Sequence, residues 1–210
     1  AAKKLGYSYI GISDHSKSQR IANGLDEQRL EKHISNIRKS GEKHKDIKIF
    51  AGSEVEILKD GKLDYSNNVL AKLDFVIGAV HSGFKSTNAE MTKRILKALS
   101  NEYLKILAHP TGRLINRRDP YEVDLEKVFE TAKANKQLIE INGSPERMDL
   151  NDVHIMKASE IGCKFVINTD AHNIDQLKNI NLGIAMARRG WIKKSQVVNT
   201  LPLSEIRKYL

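Results

Sequence analysis

Residues 137–172, QLIEINGSPERMDLNDVHIMKASEIGCKFVINTDAH, hold two strand patterns separated by one helical pattern. Residues 137–141 and 164–168 are short, mostly apolar runs, which is typical of strands buried on both faces of a parallel sheet. Between them, residues 152–161 repeat apolar side chains at spacings of three and four, as a helix with one buried face does. This stretch therefore predicts a strand–helix–strand unit with parallel strands.

The same alternation runs along the rest of the chain. Earlier strand patterns lie at residues 7–13, 47–55, 75–80 and 104–108. Further helical patterns lie at residues 28–45, 88–99 and 125–135, and at a last helix from Leu203. Because the alternation neither pauses nor reverses, it favours a barrel over an open parallel sheet. We predict an α/β barrel that forms one domain over residues 1–210.

The composition is that of an ordinary globular domain. Hydrophobic residues make up 40% and charged residues 29%, which excludes a disordered or fibrous chain. A formal net charge of +9 favours polyanionic partners, although only weakly. Cys163 is the one cysteine, so no intramolecular disulfide is possible and a cytoplasmic location is expected. No apolar run approaches the roughly 18 residues of a membrane helix, so we expect no membrane partner.

Histidines and carboxylates follow the predicted strands, at the points where the strands end. These residues are His15, Glu54, His81, His109, Asp170 and His172. The carboxyl ends of the strands of a parallel barrel open on one face, where such proteins build their active sites. Imidazole and carboxylate ligands without a thiolate favour Zn²⁺, Mn²⁺ or Fe²⁺. The remaining histidines lie in helical patterns and are interpreted as structural or surface residues.

Two glutamates lie two positions apart in the second strand pattern. Glu54 is the best candidate for a carboxylate that bridges two cations, because it lies deepest in the strand. Glu56 shares its face by strand alternation. We interpret Glu56 as a solvated carboxylate at the loop edge. Cys163 precedes a strand at the opposite end and is interpreted as a buried structural residue.

Five motifs at the strand ends resemble one known family. They are SDHS (13–16), GSEVEI (52–57), VHSGF (80–84), AHPTGR (108–113) and NTDAH (168–172). Together they resemble the PHP (polymerase and histidinol phosphatase) domain, in particular the C-terminal PHP domain of bacterial and archaeal family X DNA polymerases. The resemblance covers essentially the whole chain and implies a distorted (β/α)₇ TIM-like barrel with a trinuclear metal centre.

The resemblance also implies roles for individual residues. The metal ligands would be His15, Glu54, His81, His109, Asp170 and His172, holding two to three divalent ions (Mn, Zn or Fe), with Glu54 bridging. Glu54, His81 and Asp170 would serve catalysis through bound metal and water. Asp14 and Glu140 would support the ligands from behind, and Asp14 could orient a ligand histidine.

The chain departs from the family pattern at its beginning. The His-x-His motif that the family carries on its first strand does not occur here, nor does the Asp in the loop that follows. We therefore expect an N-terminally truncated domain that lacks the first strand and three ligands. Activity and metal affinity of this chain would be impaired.

The resemblance implies hydrolysis of DNA phosphodiesters by metal-activated water, as 3′→5′ exonuclease or end processing in repair, beside a covalently attached polymerase domain. Lys17, Arg113, Arg117 and Arg118 would contact the phosphate backbone. With aromatic residues at only 6%, sequence-specific reading of bases is not expected. Two alternatives stay open: a small-molecule phosphatase of the histidinol-phosphate type, and a non-catalytic, metal-stabilised scaffold for the polymerase.

Overall fold

The computed structural model describes residues 1–210 and contains one sheet of six parallel strands. The strands are β1 (Tyr9–His15), β2 (Lys48–Glu56), β3 (Phe75–Ala79), β4 (Leu104–Leu107), β5 (Leu138–Asn142) and β6 (Lys164–Asn168). Each strand pairs with the next one in the chain, so spatial order equals chain order. The curled sheet with its intervening helices confirms the predicted distorted TIM-like α/β fold.

Seven α-helices alternate with or follow the strands. They are α1 (Glu27–Lys43), α2 (Asn67–Leu70), α3 (Asn88–Leu99), α4 (Leu125–Ala134), α5 (Asp152–Ile161), α6 (Ile180–Arg189) and α7 (Leu203–Ile206). Sequence analysis predicted all of them except α2 and α6. None of these helices is both long enough and apolar enough to cross a bilayer.

Polar side chains at the N-termini explain where the longer helices begin. Asp26, Asp124 and Asn151 each accept a hydrogen bond from the backbone N–H three residues later. Thr87 does the same for α3 and forms a reciprocal capping box with Glu90. Such caps satisfy donors that a helix start leaves unpaired, typically worth about 1 kcal/mol each.

Strand alternation separates two apolar layers. Ala51 and Val55 of β2 point towards the helices and join the larger cluster, which lies between sheet and helices. Phe50 of β2 and Phe75 and Ile77 of β3 point the other way and join a smaller cluster inside the curled sheet. Part of the smaller cluster lies towards the end of the barrel where the strands begin. We call this part the floor; its residues are Phe50, Phe75, Leu138, Val198 and Ile206.

Two glycines make room for the largest side chain of the floor. Gly52 is paired with Phe75 across β2 and β3, and a Cβ at Gly52 would overlap the Phe75 ring. A Cβ at Gly11 on β1 would lie 2.7 Å from the same ring. Phe75 therefore packs directly on the backbone of two strands.

The C-terminal segment connects the two edge strands, β1 and β6. The side-chain amide of Asn199 accepts a hydrogen bond from Ile167 N–H (3.1 Å) and donates one to Ile167 O (2.7 Å). On the other edge, the Tyr9 hydroxyl donates to Leu201 O at 2.8 Å. Val198 and Ile206 are buried in the floor. Residues 197–206 thus close the barrel at its amino end.

Candidate metal centre at the carboxyl end of the sheet

Three histidines surround the carboxylate of Glu54 at the opposite end of the barrel interior. Glu54 Oε1 lies 2.9 Å from His109 Nε2 and 3.2 Å from His81 Nε2, and Glu54 Oε2 lies 3.3 Å from His15 Nδ1. The His81 ring is 5.1 Å from each of the other two rings, measured between centroids, and nearly perpendicular to them. The side chains come from the ends of four different strands.

The donor atoms of this group fit a cation. One ligand atom each from His15, Glu54 and His81 lie within 4.8 Å of one another. His15 Nδ1 and His81 Nε2 are buried and make no hydrogen bond of acceptable geometry. Buried polar atoms without a partner are rare, and lone pairs converging on one point are what a metal ion satisfies. The cluster could therefore hold a metal ion.

The same environment sets the protonation of the group. Burial lowers the pKa of His15, which favours the neutral imidazole that a metal ion needs. Burial also opposes the charged form of His81, but the adjacent carboxylates of Glu54 and Glu56 outweigh it and raise the pKa of His81 to about 9. Burial likewise raises the pKa of Glu54, but His109 and His81 prevail and hold it well below its usual value.

Glu56 is a buried support of this centre, and its interpretation as a solvated carboxylate was wrong. Its side chain is 2% exposed. Glu56 Oε2 lies 2.8 Å from His81 Nδ1, and Oε1 accepts hydrogen bonds from the Ser82 hydroxyl (2.8 Å) and from Arg94 (3.1 Å). Strand alternation had already placed Glu56 on the face of Glu54, so the signal was present in the sequence.

Arg94 of α3 neutralises Glu56 inside the protein. Its guanidinium also donates to the carbonyl oxygens of Ile57 and Ser82. Burial raises the pKa of Glu56, but contacts with His81, Ser82 and Arg94 reverse this and lower it, so the carboxylate stays ionised. An ionised Glu56 holds His81 by Nδ1–H and leaves Nε2 facing Glu54, as carboxylates behind metal-binding histidines do.

Two proposed ligands have backbone conformations that are unusual for residues other than glycine. His109 has a φ of 28° and Asp170 a φ of 51°. The His109 N–H donates to Glu140 at 2.8 Å, and Glu140 also accepts a hydrogen bond from Asn168. Strained backbone at strand ends persists only where the surroundings impose it, and it concentrates at functional sites. Glu140 therefore supports His109 from behind, as the resemblance implied.

Asp170 and His172 lie at the side of the cluster. Burial is the main cause that lowers the pKa of His15. Asp170 and His172 are also close enough to act on it: the charge of Asp170 raises this pKa and that of His172 lowers it. Asp170 Oδ2 accepts from Arg147 Nε at 3.2 Å. The His172 side chain is 68% exposed, and its Nδ1 lies 2.8 Å from the carbonyl oxygen of Asp170. His172 thus does not join the group around Glu54 in this structure.

Arg147 was missed by sequence reasoning. It lies in the loop after β5, and its Nη1 is buried without a hydrogen-bond partner. Its side chain is the one guanidinium that reaches a proposed ligand, Asp170. The only signal in the sequence was its place in the loop that follows a strand end.

The four residues expected to contact phosphate are engaged within the protein. Lys17 pairs with Glu27 at 2.5 Å, and Arg117 lies 3.5 Å from Glu146, both at the surface. Arg113 donates to the carbonyl oxygens of residues 147 and 148. Arg118 donates to the carbonyl oxygen of residue 112 and lies over the ring of residue 84. Their phosphate-binding role stays a prediction.

Asp14 does not orient a ligand histidine, and this expectation was wrong. Its half-exposed carboxylate lies 2.7 Å from His33 Nε2 on α1. The side chain of Asp14 therefore points to the helix layer, whereas the next residue, His15, points into the barrel.

A parallel α/β barrel with imidazoles and a carboxylate gathered at its carboxyl end is an architecture of metal-dependent enzymes. Comparison with known proteins agrees with this class. The family described as "PHP domain" matches residues 1–144, and the chain belongs to that family.

Curated relatives include two kinds of protein. The DNA polymerase/3′-5′ exonuclease PolX of Bacillus subtilis is 41% identical over the whole chain, which spans 37% of that protein. A probable phosphatase of Thermoanaerobacter sp. is 29% identical and is matched over all of this chain and 84% of its own length.

A solved structure has the same fold. It is the histidinol phosphate phosphatase of Lactococcus lactis complexed with zinc, L-histidinol and phosphate, with a TM-score of 0.60. The match covers 91% of this chain and 85% of that one at 15% identity, so it supports the fold alone.

Proposed function

We propose that this chain is the phosphoesterase domain of a family X DNA polymerase and hydrolyses DNA phosphodiesters as a 3′→5′ exonuclease. The observation that carries the proposal is the ring of three imidazoles around Glu54, with buried nitrogen atoms that lack partners. The similarity to PolX over the entire chain favours DNA as the substrate, and the net charge of +9 agrees with a polyanion.

In this proposal His15, Glu54, His81 and His109 hold two or three divalent ions (Mn, Zn or Fe), with Asp170 and His172 completing the set. When bound, such ions supply an activated water and neutralise charge on the phosphoryl oxygens. Glu54 contributes its ionised carboxylate between the imidazoles. Glu56 accepts the Nδ1–H of His81, so Nε2 is the nitrogen that would give up its proton and offer a lone pair to a bound ion.

Arg147 is the residue we assign to the substrate phosphate. Its Nε is held by Asp170, which fixes the plane of the guanidinium. The free Nη1 can then donate a charge-assisted hydrogen bond to a non-bridging oxygen. The cations of the loop at residues 113–118 would extend contacts along the strand.

A polymerase domain attached to this chain belongs to the same proposal. It rests on the PolX relative, of which the chain spans only 37%. The second candidate function is a small-molecule phosphatase of the histidinol-phosphate type. The probable phosphatase that is matched over 84% of its length favours this candidate.

The test compares hydrolysis of a single-stranded oligonucleotide with that of histidinol phosphate in the presence of Mn²⁺ or Zn²⁺. We expect oligonucleotide shortening that is lost in His109→Ala and retained in the matched control His44→Ala, because His44 is exposed at the end of α1. Turnover of histidinol phosphate alone would replace the nuclease proposal with the phosphatase. Unchanged activity of a folded His109→Ala protein would place catalysis elsewhere.

A further inference from the structure

The turn after α6 displays an aromatic side chain in solvent. Trp191, the one tryptophan of the chain, is 84% exposed. It has a φ of 57°, which is unusual for a bulky residue. The exposure is unfavourable unless the indole has a partner, because tryptophan is highly buried on average.

Packing and backbone hydrogen bonds hold the turn in one conformation, and this conformation exposes the indole. Gly190 is buried, and a Cβ there would overlap Ile155 of α5. The N–H of Trp191 donates to Arg188 O at 3.1 Å, and that of Ile192 donates to Ala187 O at 3.3 Å. Ile192 packs against the larger core cluster. With its neighbours on both sides anchored, the Trp191 side chain points outward.

Cations without carboxylate partners flank the indole. Arg188, Lys193 and Lys194 are exposed and form no ion pair. Arg189 is the exception, since it binds Asp152 at the start of α5 through Nε at 3.0 Å. The segment RRGWIKK (188–194) contains no acidic residue. The surface around Trp191 is therefore cationic.

The turn after α6 packs against the start of α5. Gly190 contacts Asp152 and Ile155, in the first turn of α5. The first turn of α5 lies towards the carboxyl end of the sheet, because the helix leaves the end of β5 and returns to the start of β6. The loop that joins β5 to α5 contains Arg147.

We propose that Trp191 is a stacking platform for a base of single-stranded nucleic acid, with Arg188, Lys193 and Lys194 contacting its phosphates. Aromatic faces beside cations bind single strands without reading their sequence. The proposal rests on the proposed function in so far as the strand is the substrate. Charge favours nucleic acid over a protein partner, because an interface centred on tryptophan would normally be depleted of lysine.

The experiment titrates the full chain with oligothymidylate in EDTA, which prevents hydrolysis, and follows tryptophan fluorescence. Because Trp191 is the only tryptophan, any quenching reports on this turn. We expect saturable quenching that weakens with salt. An abasic oligomer of equal length and charge should quench far less, because it has no base to stack.

Binding by variants is measured with a fluorescent oligonucleotide. Trp191→Asn tolerates the left-handed backbone and should weaken binding on the order of 10-fold, whereas Trp191→Phe should retain most of it. Equal quenching by the abasic oligomer, or undiminished binding by Trp191→Asn, would overturn the proposal. A blue shift that depends on protein concentration without oligonucleotide would also overturn it, in favour of self-association.

Failure of this inference differs from failure of the proposed function. Hydrolysis of a small phosphodiester without a base, such as methyl p-nitrophenyl phosphate, by the unaltered chain depends on the metal centre and tests the proposed function alone. Absence of oligonucleotide-dependent quenching in the unaltered chain, with retained hydrolysis of the small phosphodiester, would refute the platform alone. Quenching without hydrolysis would refute the nuclease and leave a nucleic-acid-binding site.

Discussion

The two ends of the barrel interior are built on the same strands with opposite chemistry. On β2, Phe50 and Gly52 face the floor, while Glu54 and Glu56 face the mouth, all on one side of the strand. The floor is filled by aromatic rings and methyl groups. The mouth gathers imidazoles and carboxylates whose unpaired atoms converge. Phe50 and Glu56 are six residues apart, which is about 20 Å at about 3.3 Å per residue. Over that length, one face of β2 changes from apolar packing residues to residues of the metal centre.

We infer that stability and ligand binding depend on separate ends of the barrel interior. Substitutions at the floor should change the free energy of unfolding and leave metal affinity nearly intact. Substitutions at the mouth should do the reverse, except where they leave a buried charge without its partner.

The largest effect is expected at the floor. Phe75→Ala removes a ring packed on two glycines and should lower the free energy of unfolding by about 3–5 kcal/mol. Chemical denaturation measures this loss, and Zn²⁺ titration of the folded variant should give nearly wild-type affinity. Gly52→Ala should also destabilise, by about 1–3 kcal/mol, because its Cβ overlaps the ring. Pairing it with Phe75→Leu should recover part of that loss. A large fall in metal affinity in Phe75→Ala would show that metal binding depends on the floor as well.

At the mouth, Glu54→Gln keeps the shape of the side chain and removes its charge. We expect Mn²⁺ or Zn²⁺ affinity to fall by more than about 100-fold, because even supporting residues behind ligands contribute roughly 10- to 100-fold. Calorimetric titration measures the affinity. Glu146→Gln, at an exposed carboxylate, is the matched control and should bind like wild type. Equal affinities of the two variants would contradict the metal centre.

Glu56→Gln should have a smaller effect on binding than Glu54→Gln. We expect metal affinity to fall roughly 10- to 100-fold, since His81 loses the partner that orients it. Stability should fall too, because Arg94 is left buried without a counter-charge. The control is Asp14→Asn, whose carboxylate pairs with His33 at the surface. It should change stability by less than about 1 kcal/mol and leave affinity unchanged. An equal loss of affinity in both variants would show that position on the strand does not matter.

A further effect is a dependence of metal-free stability on pH. The pKa of His81 is raised to about 9, so its protonated form stabilises the folded state fully below the unfolded pKa of about 6.5. That contribution is lost as pH rises through about 9. The melting temperature in EDTA should therefore fall over this window, and less steeply in His81→Gln. Metal binding near neutral pH should release a proton, measurable by calorimetry in buffers of different ionisation enthalpy. Identical pH profiles for both proteins would show that His81 is not the source of the pH dependence.

The parallel sheet could be predicted from the regular alternation of strand and helix patterns. The cluster of histidines and carboxylates could be predicted because parallel strands all end on the same side of the sheet. Each strand end carries its own histidine or acid, and a parallel sheet brings those ends together. Arg94 and Arg147 could not be found this way. Their partners are set by how α3 packs over β2 and how the loop after β5 folds back, and neither is encoded in local spacing.

Helix α6 escaped prediction for a different reason. Its segment INLGIAMARR contains Gly183, which costs about 1 kcal/mol in an isolated helix. In the fold Gly183 is buried so closely on Ile167 that a Cβ would overlap it. Tertiary packing thus outweighs the low helix propensity of this glycine.

The end of β2 also differs from the prediction. The strand extends to Glu56, one residue beyond the predicted end, and this places the Glu56 carboxylate inside the barrel.

The covering of the barrel's amino end by residues 197–206 has a consequence for biosynthesis. All six strands precede this segment, so they leave the ribosome while the floor is still uncovered and the β6 edge lacks Asn199. We expect the nascent domain to remain partly open, and prone to pairing with other chains, until the segment emerges. Arresting translation shortly before residue 197 and probing with a protease should capture this vulnerable stage.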